Sequence, residues 1–376
     1  MKYLILIFLA STVACRFSDD FYRILSKENA KRNLITSPLS VEIVMSMIYM
    51  AAGGKTAREL RNSLKLPKDK EEVANRYREF LTNLKNGKKS VTLRLANRIY
   101  VNGKYSLVPE FNQMVKKYFK AKAKTISLED PEKAAKIVNK WVSNQTHGKI
   151  RSLVSPSDMN PYLSAILVNA IYFEGLWKYE FKADQTHVAD FHVSAKEIVP
   201  VEMMTLSKPL FSAYLGDLDA KVIELPYRKT NLSMRIFLPN RVDGLCELEE
   251  KIVGFSRPLQ KNTVNVKLPK FKIEFRAQLR GTLQKLGIQD AFKDSADFEG
   301  LVVGSSVKID NVVQKAFLKV DEKGTEAAAA TGVLIRRKKS VDIVHPMEFI
   351  ADHPFAYTIH DRNTIYFQGH IVKPQW

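Results

Sequence analysis

Glu322-Lys323-Gly324-Thr325-Glu326-Ala327-Ala328-Ala329-Ala330-Thr331-Gly332-Val333-Leu334-Ile335-Arg336-Arg337-Lys338-Lys339-Ser340 is the stretch on which the fold turns. A strand-like run ends before it at Val320-Asp321, and strand-like sequence resumes only near His353-Pro354-Phe355. Irregular connections beyond roughly 15 residues are uncommon in a compact domain, and are usually functional or disordered. The alternation here is orderly. In an extended chain Thr325, Ala327, Ala329, Thr331 and Val333 share one face, all small or apolar, while charged Glu326 falls on the other. No proline interrupts Gly324 to Ser340, so no ladder donor is missing, and Gly324 supplies the backbone freedom a hinge requires. The run Ala327–Ala330 could instead form a short helix, but Thr325, Thr331 and Gly332 flank it poorly for that.

Outward from this stretch, the first half of the chain reads mostly helical. Phe17, Phe21, Tyr22 and Leu25 recur at helical spacing, and Pro38 opens an apolar stretch from Val41 to Ala51. Further helices are expected at Ala57–Leu64, Glu71–Leu84, Pro109–Tyr118 and Pro131–Gln145. From about residue 163 the texture turns β-branched and aromatic. Strands are expected at Leu163–Tyr172, Val222–Leu225, Leu232–Leu238, Val264–Lys267 and Phe271–Phe275, with a helix at Leu279–Leu286. No internal repeat or low-complexity linker divides the 376 residues, which predicts one large mixed α+β domain.

Lys and Arg number 59 against 40 Asp and Glu, a formal charge of +19 that favours polyanionic partners. The compartment narrows the choice. Met1-Lys2 followed by the apolar run Tyr3–Ala10 and small residues at Val13-Ala14-Cys15 has the pattern of a secretory signal peptide, cleaved near Ala14 or Cys15. Residues 1–15 are therefore expected to leave and the protein to be secreted into the extracellular space, which demotes nucleic acid and promotes glycosaminoglycans. No later run is long and apolar enough for a membrane span. The sequons Asn144-Gln145-Thr146 and Asn231-Leu232-Ser233 become N-glycosylation candidates. Cys246, the cysteine left after processing, has no internal disulfide partner, so the fold rests on its core.

Catalytic and cofactor chemistry finds little support. Gly53-Gly54-Lys55-Thr56 resembles the end of a phosphate-binding loop, but the full pattern needs glycine at position 49, where Tyr49 stands. There is no G-x-S-x-G, H-E-x-x-H or C-x-x-C motif, and the seven histidines are dispersed without metal-ligand spacing. No enzyme, metal or cofactor is expected.

Several ordered segments carry a resemblance to the serpin family across essentially the whole mature chain, residues 16–376. They are Asn33-Leu34-Ile35-Thr36-Ser37-Pro38-Leu39-Ser40, Asn139-Lys140-Trp141-Val142 with Thr146-His147-Gly148-Lys149-Ile150, Leu167–Trp177, Lys267-Leu268-Pro269-Lys270-Phe271, and Ile365-Tyr366-Phe367-Gln368-Gly369-His370. The resemblance, nearest to insect secreted serpins, implies a single-domain fold of helices around three β-sheets. It also implies an exposed reactive-centre loop at about 322–350 that a target protease cleaves. The cleaved loop inserts as a new central strand and traps the acyl-enzyme, strain release of which serpins are a standing example.

The resemblance also assigns roles. Glu322, Gly324, Thr325, Glu326, Ala327, Ala328, Ala329, Ala330 and Thr331 form the hinge, and Lys270 is the candidate partner of Glu322. Ser37, Ser40, Asn169 and Gln314 lie at the sheet's opening point, with Gln314 where the family usually has histidine and Glu174 where lysine is common. The family's spacing puts the cleaved bond after Lys338; cleavage after Lys339, with Ser340 on the leaving side, is the alternative. Either lysine would enter an acidic protease pocket, which points to trypsin-like serine proteases. The preceding Arg336 and Arg337 add a subtilisin-like proprotein convertase as a second target. Arg76, Arg78, Lys85, Lys88 and Lys89, and Lys116, Lys117, Lys120, Lys122 and Lys124, are candidate heparin-type contacts. A monomer is expected, and a non-inhibitory or polyanion-binding serpin is the alternative role.

Overall fold

The computed structural model describes residues 17–85, 90–325 and 346–376. The segment 1–15, expected to be a signal peptide, Lys88, Lys89 and the loop from Glu326 through Thr331, Arg336, Arg337, Lys338, Lys339 and Ser340 lie outside the described residues, as does the side chain of Lys85.

Helix α1 covers residues 17–28. It is followed by β1 (Leu34–Thr36), α2 (Pro38–Ala51), α3 (Gly54–Leu64), α4 (Lys70–Lys85), β2 (Val91–Asn102), α5 (Pro109–Phe119), β3 (Lys122–Ile126), α6 (Pro131–Gln145) and β4 (Ala165–Leu176). Then come β5 (His187–Ser194), β6 (Glu197–Leu215), β7 (Ala220–Pro226), β8 (Ser233–Pro239), α7 (Leu245–Lys251), β9 (Gln260–Pro269) and β10 (Phe271–Gln278). The chain closes with α8 (Arg280–Lys285), β11 (Ile309–Val320), β12 (Gly324–Thr325), β13 (Met347–Ile350), β14 (Phe355–His360) and β15 (Ile365–Ile371).

Local chemistry explains the helix boundaries. The Ser37 hydroxyl caps α2 by accepting the Ser40 N–H at 3.3 Å, with Pro38 just inside the helix. Asp130 caps α6 in the same way through the Lys133 N–H at 2.9 Å, and Ala134, Ala135, Val138 and Val142 form its buried stripe. Both bounds of α6 coincide with the sequence expectation.

The first sheet has the order β10-β11-β4-β2-β3, with β12 against β4. Its central strand β4 is buried on both faces, which is why its sequence is an almost continuous apolar run. Leu167, Ile171 and Phe173 join the main core, while Ile166, Val168, Ala170 and Tyr172 pack in the cluster that contains Val138 and Val142 of α6. The second sheet has the order β1-β15-β14-β8-β7-β6-β9-β13, with β5 on β6. The second and third sheets implied by the resemblance are joined here through β6, which pairs with β5, β9 and β7 along its 19 residues.

Strands β1, β2, β3, β5 and β6 are additions to the sequence reading. β2 lies in the half that reads as helical, although Leu93, Arg94 and Leu95 alternate. Pro200 and Pro209 disguise β6, because proline usually argues against a continuous strand.

Candidate functional site: the seam between β4 and β11

The centre of the first sheet is incompletely closed. β4 and β11 run parallel, with registered pairs from Ile309–Ala165 to Phe317–Tyr172, and the pairing stops there. On its other edge β4 remains paired with β2 as far as Gly175–Val91. The free edge at the end of β4 is taken by β12, antiparallel, with Gly324 opposite Leu176 and Thr325 opposite Gly175.

β12 is firmly seated. Thr325 is 0% exposed, and its hydroxyl shares a 2.9 Å hydrogen bond with the Tyr227 phenol. Tyr227 stacks on Trp177 with centroids 4.6 Å apart. Trp177 donates its indole N–H to Asp321 O and its backbone N–H to Lys323 O, each at 3.0 Å. The backbone N–H of Phe181 donates to Glu322 O at 2.9 Å. A Cβ on Gly324 would stand 2.0 Å from Gly175 O, so close approach adds a second reason for glycine there. The irregular stretch expected from Glu322 onward is thus ordered through Thr325. Strand structure resumes at Met347 rather than near His353, because Met347–Ile350 pairs in parallel with Val264–Lys267 of β9.

Glu322, in the turn before β12, accepts a hydrogen bond from the Thr186 hydroxyl at 2.9 Å and lies 3.5 Å from the Lys270 ammonium. Burial pushes its carboxyl up, but the backbone bond, Thr186 and Lys270 together hold it below the ordinary glutamate range. Lys270 also lies 3.2 Å from Glu202. Thr186 and Glu202 carry no sequence signal that marks them as site residues.

Deeper in the seam, Asn97, Asn169 and Gln314 form one polar row, registered opposite one another on β2, β4 and β11. Gln314 donates from Nε2 to Asn169 Oδ1 at 2.8 Å and to Ser37 O at 3.0 Å. Its Oε1 accepts from the Thr36 hydroxyl at 2.6 Å and the Ser37 N–H at 3.1 Å. Asn169 Nδ2 donates to Asn97 Oδ1, to the Ser40 hydroxyl and to Ser40 O. The glutamine therefore bridges Asn169 to Ser37.

The serpin (serine protease inhibitor) family model matches residues 12–374. The chain belongs to the serpin family. It is 48% identical over 376 residues to Serine protease inhibitor 42Dd of Drosophila melanogaster, covering 100% of both chains. The human Leukocyte elastase inhibitor is 35% identical over 380 residues, covering 97% of this chain and 99% of that one. The crystal structure of Serpin48 from the insect Tenebrio molitor superposes with a TM-score of 0.90 at 35% identity, covering 97% of this chain and 98% of that one. The family model and both curated relatives are named as inhibitors, so this serpin is an inhibitor and not an enzyme.

Sheet geometry gives the seam a direction of change. β4 and β11 form a parallel pair between strands that are otherwise their antiparallel partners, β2 and β10. A loop continuing from β12 between them would be antiparallel to both, replacing one parallel contact by two antiparallel ones, which are slightly more stable per residue. Gln314 and Asn169 would then be about 10 Å apart, two strand spacings, which would break their bond.

The remaining candidates lie apart from the seam. Glu174 pairs with Lys149 at 3.3 Å. Asn144 and Asn231 are exposed, as are Lys116, Lys117 and Lys120 around the end of α5 and Lys122 and Lys124 on β3. Arg76 instead lies 3.6 Å from buried Glu42, and Arg78 lies over the Tyr118 ring. Among the described residues no cluster has the make-up of a metal site, and no helix is long and apolar enough to cross a membrane.

Proposed function

We propose that this serpin is a secreted suicide inhibitor of trypsin-like serine proteases. The observation that carries the reading is the seating of Gly324 and Thr325 in the antiparallel slot beside β4, followed in sequence by the small-residue alternation Ala327, Ala329, Thr331 and Val333. The protease serine attacks the carbonyl of Lys338 or Lys339, forming an acyl ester and releasing the amine of the next residue. Residues after Thr325 then extend β12 down the seam and carry the tethered protease with them before water cleaves the ester. The apolar segment 1–15 supports secretion. Exposed Asn144 and Asn231 are the glycosylation candidates.

A convertase is a second target reading, supported by the four consecutive basic residues Arg336 to Lys339. The five exposed lysines near α5 and β3 support a heparin-like glycosaminoglycan as an accelerator, while a purely binding role leaves the insertable hinge sequence without a use.

The test is to mix the mature protein with trypsin and, separately, with a subtilisin-like convertase. The reading predicts a complex that survives SDS and a released peptide whose mass assigns the bond after Lys338 or Lys339. Complete cleavage by both enzymes with no complex would overturn it for these targets.

A further inference from the structure

Trp376 reaches the hinge side of the seam. The Lys272 N–H donates to Gln375 O at 2.7 Å, which lays the segment Pro374–Trp376 along the start of β10. The Trp376 ring centroid is then 4.3 Å from the Lys270 ammonium and 4.8 Å from that of Lys319. Lys270 links β9 to β10, and Lys319 lies on β11 opposite Lys272, two residues before the Asp321-Glu322 turn. One aromatic ring therefore meets a cation on each of two neighbouring elements beside the hinge. Trp376 is 56% exposed, so hydrophobic burial accounts for little of this placement.

We propose that Trp376 is a positioning residue for the gate: it holds Lys270 toward Glu322 and thereby slows opening of the β4–β11 seam. Lys270 stands between two carboxylates. Glu202 is the nearer, but its side chain is 46% exposed and its attraction is screened, whereas that of Glu322 is 14% exposed. A lysine stem is flexible, and without the ring its ammonium is free to follow Glu202 away from the hinge. The electron-rich indole face restricts that motion and also offsets repulsion between the Lys270 and Lys319 ammoniums. The inference rests on seam opening as the step that admits the loop.

The test uses the full mature protein and a synthetic peptide of residues 325–337, whose uptake into the seam needs no protease. W376A should take up the peptide about two- to tenfold faster than the wild type, the range expected for losing exposed cation–π contacts. W376F, which keeps an aromatic face, should restore most of the slow rate. On an E322Q background W376A should add no further acceleration, because the partner of Lys270 has lost its charge. Equal acceleration on both backgrounds would mean a merely structural role and would overturn the inference, as would an unchanged rate in W376A. If the wild type traps trypsin and takes up peptide, such a failure falls on Trp376 alone. If the wild type does neither, the insertion reading falls and this inference with it.

Discussion

Gln314 donates to Asn169 at 2.8 Å across the parallel boundary between β4 and β11. Both side chains are buried, so the bond is exchanged for no water until the seam opens. It ties the two parallel strands together through neutral groups.

Replacing Gln314 by Leu removes the partner of Thr36, Ser37 and Asn169 and leaves buried polar groups unmatched. Native stability should fall by about 1–3 kcal/mol. The loop-inserted form, in which the bond is already broken, should be affected less. Thermal unfolding of the intact and cleaved proteins would check this through unequal shifts in Tm.

Thr325→Glu places a charged side chain where the native residue is 0% exposed and bonded to Tyr227. Burying an unpaired carboxylate costs several kcal/mol, so β12 should be unseated and insertion should lose its starting strand. Trypsin should still cleave the loop, but the yield of covalent complex on a denaturing gel should drop at least tenfold. An undiminished yield would show that trapping does not depend on the seating of Thr325 beside β4.

The Glu322–Lys270 contact should make opening of the seam sensitive to acid. The folded-state carboxyl is held below its ordinary value of 4.5, so its stabilising contribution is complete above that value and is lost as pH falls through the depressed one. Polymerisation on mild heating should therefore accelerate as the solution is acidified below about pH 4.5. Glu322→Gln should polymerise faster at neutral pH and lose that acid-dependent increment. Glu322→Lys, with a cation facing Lys270, should polymerise fastest of the three, as size-exclusion chromatography over time would show.

Cleavage specificity separates the two lysines. If the bond follows Lys338, Lys338→Ala should lower the trypsin association rate by at least a hundredfold while Lys339→Ala changes it little. The reverse pattern assigns the bond to Lys339. Progress curves with a chromogenic substrate give both rates.

Much of this architecture is legible in the sequence where the signal is local. The bounds of α6 match the expected Pro131–Gln145, and the core of β4 follows from its apolar run. Glu322, Lys270, Asn169 and Gln314 are legible through resemblance. Thr186, Glu202, Asn97, Tyr227 and Trp376 are not, because their roles arise where segments distant in sequence converge on one seam. Asn97 left a faint trace as a polar residue within the alternation of β2, and its meaning appears only from its register opposite Asn169.

Thermal unfolding of the intact protein against protein cleaved within residues 326–345 bears most directly on the central claim that the β4–β11 seam stores a strand's worth of unrealised pairing. Insertion predicts that cleavage raises Tm by tens of degrees, because a parallel contact becomes two antiparallel ones around a new central strand. An unchanged or lowered Tm after complete cleavage would contradict it.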